Sequence, residues 1–174
     1  MKVSIGKYPI WRWYSNFLYE TFGHSPKQKV QVKLDDHDTW SMDHTLAQIA
    51  LPMLYQLAKT KHGSPLVDIE DVPFELQGDY EDAVHDRWDW VMSEMIFAFE
   101  SKVSDDDWQS QFYSGEHDTE YVPILDSHGN EVAYEQVKGA NDTFKVDYEG
   151  LKVYQARIDK GFLFFGKYYS GLWD

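Results

Sequence analysis

The strongest helical periodicity in this chain lies in Tyr148–Leu172, with the sequence YEGLKVYQARIDKGFLFFGKYYSGL. Its apolar residues step by three or four positions, the spacing of one face of an α-helix. This face consists of Leu151, Tyr154, Ile158, Phe162, Phe165, Tyr169 and, just beyond the stretch, Trp173. Gly161 and Gly166 also lie in the stretch, and a glycine costs a helix about 1 kcal/mol against alanine. We therefore predict a long helix here, with both glycines at close approaches to a neighbour.

Three more helices are predicted upstream, in Trp11–Phe22, from Trp40 or Ser41 to about His62, and in Asp82–Val103. The second one ends in a basic last turn followed by Gly63 and Pro65, which are common helix stop signals. The middle of the third is apolar on nearly all sides, which indicates a buried helix. A helix restart is expected near residue 104, and the acidic stretch Asp68–Glu81 is expected to be irregular and exposed.

Alternating apolar residues predict short strands in Lys2–Tyr8 and Lys29–Leu34. A hairpin is predicted where Tyr121–Leu125 and Glu131–Tyr134 flank a turn of five polar or glycine residues. The fold class is therefore α+β, with about four helices packed with a small, mainly antiparallel sheet. The length of 174 residues suits a single compact domain, 1–174.

Composition excludes several kinds of site. The chain has no cysteine, which rules out disulfides, iron–sulfur clusters, thiolate zinc sites and a cysteine nucleophile. No apolar run approaches the roughly 18 residues of a membrane span. With 43% hydrophobic and 17% aromatic residues, we expect a folded, soluble, cytosolic protein that needs no cofactor and does not bind a membrane.

Charge is concentrated in the middle of the chain. Residues 64–120 hold 17 acids and two bases, a net charge of −15, whereas the remaining residues hold 13 acids and 14 bases. Such a segment can provide solubility and pair with basic faces of the same fold. It can also imitate nucleic acid for a protein that binds nucleic acid; direct binding of nucleic acid by this chain is not expected.

Two clusters have residue types that bind metals. The segment from Asp35 to His44 is rich in carboxylates and imidazoles, but its spacing matches no calcium loop, and a solvated turn explains it as well. The pair His85-Asp86 has the residue order of a metal-dependent phosphohydrolase, with His44 or His62 upstream and Asp126, Asp142 or Asp147 downstream. A dipeptide is a weak signal, and we predict no metal site.

Other charged residues have both a binding and a structural interpretation. Glu94, on an apolar helix, is expected to be partly buried and to need a partner, for which Arg87, Arg12 or a C-terminal lysine is available. The run Thr60–Pro65 could bind a phosphate or simply end a helix.

The last helix carries a basic stripe that includes Arg157, Lys160 and Lys167 beside its apolar face. Bases interleaved with aromatic rings suit a nucleotide, whose base stacks and whose phosphates need positive charge. Alternatively, the stripe faces the acidic middle segment inside the fold. No catalytic triad, P-loop or dinucleotide-binding fingerprint is present.

Several stretches together resemble a widespread family of uncharacterised tailed-bacteriophage proteins. They are Lys33–Asp35, Asp38–Ala47, Leu51–Leu54, Thr60–Pro65, Val67-Asp68, Glu70–Pro73, Arg87–Val91, Glu94–Ile96, Phe165–Tyr169 and Leu172-Trp173. The resemblance covers most of the chain. It implies an accessory protein made in the cytoplasm of an infected bacterium, and it implies no particular activity.

Small accessory proteins of this kind often counter host defences by binding, and we expect binding rather than catalysis. The first hypothesis is a sponge that sequesters a nucleotide-type immune signal between aromatic and basic side chains. The second is an acidic mimic of nucleic acid that inhibits a host protein, and the third is the phosphohydrolase. The aromatic face of the last helix is also wide enough to form the interface of a homo-oligomer. The residues predicted to bind the ligand are Trp11, Arg12, Trp40, His44, Lys61, His62, Arg87, Glu94 and Lys167.

Overall fold

The computed structural model describes residues 1–6, 13–23, 29–104 and 107–173. The α-helices of this part are α1 (Trp13–Phe22), α2 (Met42–Thr60), α3 (Ala83–Val103) and α4 (Tyr148–Lys167). Its strands are β1 (Lys2–Ile5), β2 (Val30–Lys33), β3 (Tyr113–Ser114), β4 (Thr119–Leu125), β5 (Glu131–Lys138) and β6 (Lys145–Val146). Short 3₁₀ helices span Asp36–Thr39, Ile69–Asp71, Phe74–Leu76, Trp108–Phe112 and Tyr169–Gly171. The predicted α+β class is confirmed.

The chain divides into two compact units, Met1–Leu46 and Ala47–Asp174. In the first, β1 and β2 pair antiparallel, with Val3 opposite Val32. The side chain of Asp35 accepts a hydrogen bond from the N–H of His37, and the Asp38 side chain accepts one from the N–H of Asp35, which forms a capping box. The aspartates of this loop thus cap the helix Asp36–Thr39.

Asp38 also contacts the chain's amino group. The Met1 nitrogen lies 2.8 Å from Asp38 Oδ1. This hydrogen bond and the one from the Asp35 N–H hold the pKa of Asp38 below its usual range. Two acids of the loop that suggested a metal site, Asp35 and Asp38, therefore have partners within the unit.

In the second unit, α3 supplies more core residues than any other element. Its buried residues recur on adjoining faces, as expected of a helix packed on more than one side. They are Ala83, Trp88, Val91, Met92, Glu94, Met95, Ala98 and Phe99. Leu51 and Leu54 of α2 and Phe164 of α4 belong to one hydrophobic cluster with Trp88 and Met95 of α3. Burying a large apolar side chain stabilises the fold by roughly 1.5–3 kcal/mol. Because eight residues of α3 are buried, the prediction that α3 is a buried helix is confirmed.

Gly161 brings α4 close to α3. A Cβ at this position would overlap the backbone carbonyl oxygen of Glu94 and the Cβ of Ala98. The predicted close approach is confirmed there. It is wrong for Gly166, where a Cβ would have no neighbour within 4 Å, because this glycine lies on the exposed side of α4.

The predicted hairpin is β4 and β5, which pair antiparallel from Thr119 opposite Lys138 to Leu125 opposite Glu131, with a bulge near the turn. Asp126 closes the turn by accepting hydrogen bonds from the N–H groups of His128 and Asn130. β3 and β6 form a second short antiparallel pair.

Some element boundaries differ from those predicted. The first predicted helix is observed from Trp13, and Trp11 and Arg12 lie outside the described residues. The expected restart near residue 104 is a 3₁₀ helix that begins at Trp108, since the side chain of Asp107 caps it by accepting from the N–H of Gln109. Asp68–Glu81 contains two short 3₁₀ helices and is otherwise irregular, as predicted. The prediction that it is exposed is wrong for Val72, which packs in the hydrophobic core.

Across the described ranges, the helices are all too short or too polar to cross a membrane.

Candidate functional site

The second unit carries many exposed carboxylates. Twelve carboxylates of residues 64–120 are exposed, and we call this set the acidic surface. It consists of Asp68, Glu70, Glu75, Asp79, Glu81, Asp82, Asp86, Asp89, Glu100, Asp107, Glu116 and Glu120.

Helix α3 places part of the acidic surface on one line. Asp82, Asp86, Asp89 and Glu100 lie along one side of the helix, opposite the buried Val91. At about 1.5 Å of rise per residue, neighbouring charges on this line average about 9 Å apart, against about 1.7 Å per charge along duplex DNA. The line therefore resembles a polyanion in sign but not in charge density.

Glu94 is the buried charge of the core, as predicted, but its partner is Arg157 of α4 rather than Arg87. Arg157 Nε lies 2.9 Å from Oε2 and its Nη2 2.7 Å from Oε1, a bidentate pair. The hydrogen bonds to Glu94 raise the pKa of Arg157 further. Arg157 also lies 3.8 Å over the ring of Phe97. The pair joins α3 to α4 and matches the structural interpretation of Glu94.

Lys167 binds the loop that precedes α3. Its Nζ lies 2.7 Å from Asp68 Oδ2 and 2.7 Å from Asp71 Oδ2. The Tyr168 hydroxyl donates to Asp71 and accepts from the N–H of Asp68. The end of α4 is thus tied to the 3₁₀ helix Ile69–Asp71 by four polar contacts.

These contacts change the acidity of the groups involved. Burial raises the pKa of Asp71, but the hydrogen bonds from Lys167 and Tyr168 outweigh it and hold that pKa below its usual range. The bonds to Asp68 and Asp71 raise the pKa of Lys167. Burial, and then the bond to Asp71, raise the pKa of Tyr168. Near neutral pH the lysine is therefore charged and Asp71 is ionised.

The run Thr60–Pro65 packs against α3. Helix α2 ends at Thr60, two residues before the predicted end at about His62. Lys61 Nζ lies 2.5 Å from Asp89 Oδ1, and Ser64 Oγ lies 2.9 Å from His85 Nδ1. Asp89 and His85 are four residues apart and share one face of α3. The basic side chain and the hydroxyl thus have partners within the fold.

Arg87 organises the polypeptide between residues 76 and 78. Its Nε donates to the carbonyl oxygen of Leu76 at 2.7 Å, and its Nη2 donates to those of Gln77 and Gly78 at 3.2 and 2.6 Å. Three carbonyls are thereby satisfied at the end of the 3₁₀ helix Phe74–Leu76 and just beyond it.

The remaining predicted ligand residues lie in different surroundings. Trp40, in the first unit, is 88% exposed. His44 is half-buried in the first turn of α2, and His62 is exposed just after its end. Trp11 and Arg12 are outside the described residues. In the second unit Lys61, Arg87, Glu94 and Lys167 each contact a different set of partners. That all nine residues bind one ligand stays a prediction.

Among the residues with described positions, no three histidine or carboxylate side chains are placed to hold a metal ion. The metal loop at Asp35–His44 and the phosphohydrolase arrangement around His85-Asp86 therefore lack a ligand set there, and His85 bonds to Ser64.

The sequence identified charged residues of these pairs but not the partners that they contact. It did not assign Arg157 to Glu94, or Asp68, Asp71 and Tyr168 to Lys167, although it offered pairing of the basic stripe with the acidic segment as one of two alternatives. For Arg157 and Lys167 that alternative is confirmed. The charge asymmetry along the chain was the signal that pointed to it.

In comparisons with known proteins, no family model, curated protein or solved structure matches this chain.

Proposed function

We propose that this chain is a bacteriophage accessory protein that acts in the cytoplasm of the infected cell. In this proposal it counters host defence by covering the cationic, nucleic-acid-binding surface of a host protein with its acidic surface. The proposal combines the family resemblance with the charges of the second unit, and its mode of action is binding without chemistry.

The observation that supports this proposal is the pairing of three cations with carboxylates of residues 64–120. Lys61, Arg157 and Lys167 come from outside residues 64–120 and neutralise carboxylates within them. Three positive charges reduce the net −15 of that segment to −12. Lys61 and Lys167, two of the cations predicted to bind a nucleotide, are thus already paired, whereas an excess of exposed carboxylates is left to attract a basic partner.

The spacing of these charges limits what kind of mimic this is. Because the line on α3 carries far fewer charges per ångström than duplex DNA, a copy of the duplex outline is not expected. We expect long-range attraction to a basic patch, which speeds association and weakens as salt screens it over about 10 Å at 0.1 M ionic strength.

The test is affinity capture from lysate of a bacterial host, with two matched variants. One neutralises Glu70, Glu75 and Asp79, which belong to the acidic surface. The other neutralises three exposed acids elsewhere, Glu20, Asp36 and Glu149. Both variants lose the same net charge, so they separate the acidic surface from overall acidity.

We expect the wild type and the second variant to recover a nucleic-acid-binding protein, and the first variant to recover much less of it. Added duplex DNA or RNA and added salt should release the captured protein. Recovery of no such protein by the wild type, or equal recovery by both variants, contradicts the proposal.

One contact favours a second candidate function, sequestration of a nucleotide-type signal. Lys160 Nζ lies 5.0 Å from the ring centre of Trp90 and 5.1 Å from that of Phe164. A cation held on aromatic faces is the combination that a nucleotide requires. Calorimetric titration with cyclic nucleotides and ADP-ribose derivatives tests it. Binding heat that is lost in Lys160→Met supports it, and an absence of heat with every ligand excludes it for that panel.

A further inference from the structure

The β4–β5 hairpin exposes apolar side chains on strands that have no third strand beside them. Within the described residues its sheet has two strands, and in β4 and β5 every residue except Val137 is exposed. Tyr121, Val132 and Tyr134 are 66, 62 and 60% exposed. A two-stranded hairpin on its own is marginally stable in water, and a long apolar edge is a template for another strand.

The position of a proline indicates which outer edge of the hairpin can pair with another strand. Pro123 of β4 lies opposite Tyr134 of β5. Since proline has no N–H, it fits an antiparallel pair where the N–H would point away from the partner strand. The outer edge of β4 therefore lacks a donor at its centre. β5 contains no proline, and its outer edge is continuous.

The same register identifies the free groups of β5. Residues opposite each other in an antiparallel pair direct their N–H and C=O groups the same way, either both inward or both outward. Tyr134, opposite Pro123, therefore directs its groups outward, and so does Gln136, two residues further on. These two residues present N–H and C=O groups to a further strand.

The net charge of the hairpin indicates which kind of strand can pair with its outer edge. Residues 119–138 contain four acids (Glu120, Asp126, Glu131 and Glu135) and one base, Lys138, a net charge of −3. Edges are often protected by charged side chains, and a second copy of this hairpin would bring like charges together. A basic extended segment with alternate apolar residues would meet opposite charges and the exposed apolar side chains.

We infer that the open edge of β5 binds an extended, Lys- or Arg-rich segment of a protein partner by adding it as a third antiparallel strand. This inference rests on the proposed function for the basic nature of the partner. Backbone hydrogen bonds to Tyr134 and Gln136 would supply affinity, and the exposed side chains of the hairpin would supply selectivity.

The experiment uses the full chain and a peptide of eight alternating lysine and valine residues. Two control peptides replace lysine by glutamate, or carry N-methyl groups on alternate residues, which removes donors from one edge of the peptide. On the protein side, Gln136→Pro removes one outward N–H of β5, and Gln136→Thr keeps it. Affinity is measured by fluorescence anisotropy, and the binding residues are located by amide chemical shifts.

We expect the lysine–valine peptide to shift the amides of β5. Gln136→Pro and the N-methylated peptide should each weaken binding about tenfold, the effect of losing one or two backbone hydrogen bonds, whereas Gln136→Thr should bind as the wild type does. Undiminished binding of the N-methylated peptide overturns the inference even if Gln136→Pro disturbs the hairpin. Equal binding of the glutamate peptide also overturns it.

Self-association is a separate outcome. If the wild type sediments as a dimer at micromolar concentration and Gln136→Pro does not, a second copy occupies the edge, and the inference is wrong. If Gln136→Pro still captures the host protein in the lysate experiment, the proposed function stands without the β5 edge. If peptide pairing succeeds while lysate capture fails, the edge stands without the proposed function.

Discussion

Removal of Arg157 should destabilise the second unit more than removal of any nearby exposed cation. In Arg157→Met, Glu94 keeps its position on α3 but loses both of its hydrogen bonds from the guanidinium. The side chain of Glu94 is 8% exposed, whereas that of Arg157 is 50% exposed. The variant therefore leaves a carboxylate in the core with little water to replace its partner.

The expected cost follows from these two exposures. Breaking a fully buried pair costs about 3–5 kcal/mol, but the exposed half of Arg157 gives water a route to the carboxylate and lowers the figure. We expect a loss of about 2–3 kcal/mol in the free energy of unfolding, which includes the contact of the guanidinium with Phe97. Urea denaturation at pH 7, followed by circular dichroism at 222 nm, measures it.

A second variant separates charge from packing. Glu94→Gln combined with Arg157→Met should recover about 1 kcal/mol or more of the loss, since a neutral amide costs less to bury than a carboxylate. Lys152→Met, an exposed cation on the same helix, should stay within about 0.5 kcal/mol of the wild type. If Arg157→Met also stays within that range, or if the double variant is no more stable than Arg157→Met, the pair does not stabilise the fold as argued.

Three further predictions concern the same unit. Gly161→Ala should destabilise the unit by about 1–3 kcal/mol in urea denaturation, because the added methyl group meets the backbone of α3. Gly166→Ala, with open space around it, should stabilise the unit by about 0.5–1 kcal/mol. Equal effects of the two substitutions would contradict the close packing at Gly161. Because the pKa of Asp71 is lowered in the folded state, its contribution to stability is complete above the pKa of an unfolded aspartate and is lost as the pH falls through the lowered value. The unfolding midpoint of Asp71→Asn should therefore fall less than that of the wild type between pH 5 and 2. Parallel curves for the two proteins would refute this. Arg87→Met should leave the carbonyls of residues 76–78 without their donor and speed hydrogen exchange in that segment at least about tenfold; unchanged exchange would show that other contacts hold it.

The helices and the hairpin could be predicted from the sequence because their signals are local. The three- and four-residue steps of Tyr148–Leu172 correspond to α4, and the polar turn at Asp126 corresponds to the β4–β5 hairpin. The end of α2 at Thr60 was predictable in the same way, since Gly63 and Pro65 follow it within five residues. Each of these signals depends on residues within a few positions of one another.

The amount of charge and its segregation are likewise properties of the sequence. The net −15 of residues 64–120 and the basic stripe on the last helix are visible without coordinates. They predicted that the two regions could pair. They did not predict which carboxylates would be neutralised and which would stay exposed.

Only the tertiary structure decided those pairings. Glu94 and Arg157 are 63 residues apart in the chain, and Asp71 and Lys167 are 96 apart. Arg87 is on the same helix as Glu94, yet it donates to the carbonyls of residues 76–78 instead. A local pattern states which face of a helix is apolar, but the partner of a charge depends on which distant segment packs against that face. That packing is set by the shape of the whole core, through contacts such as the one Gly161 allows between α3 and α4.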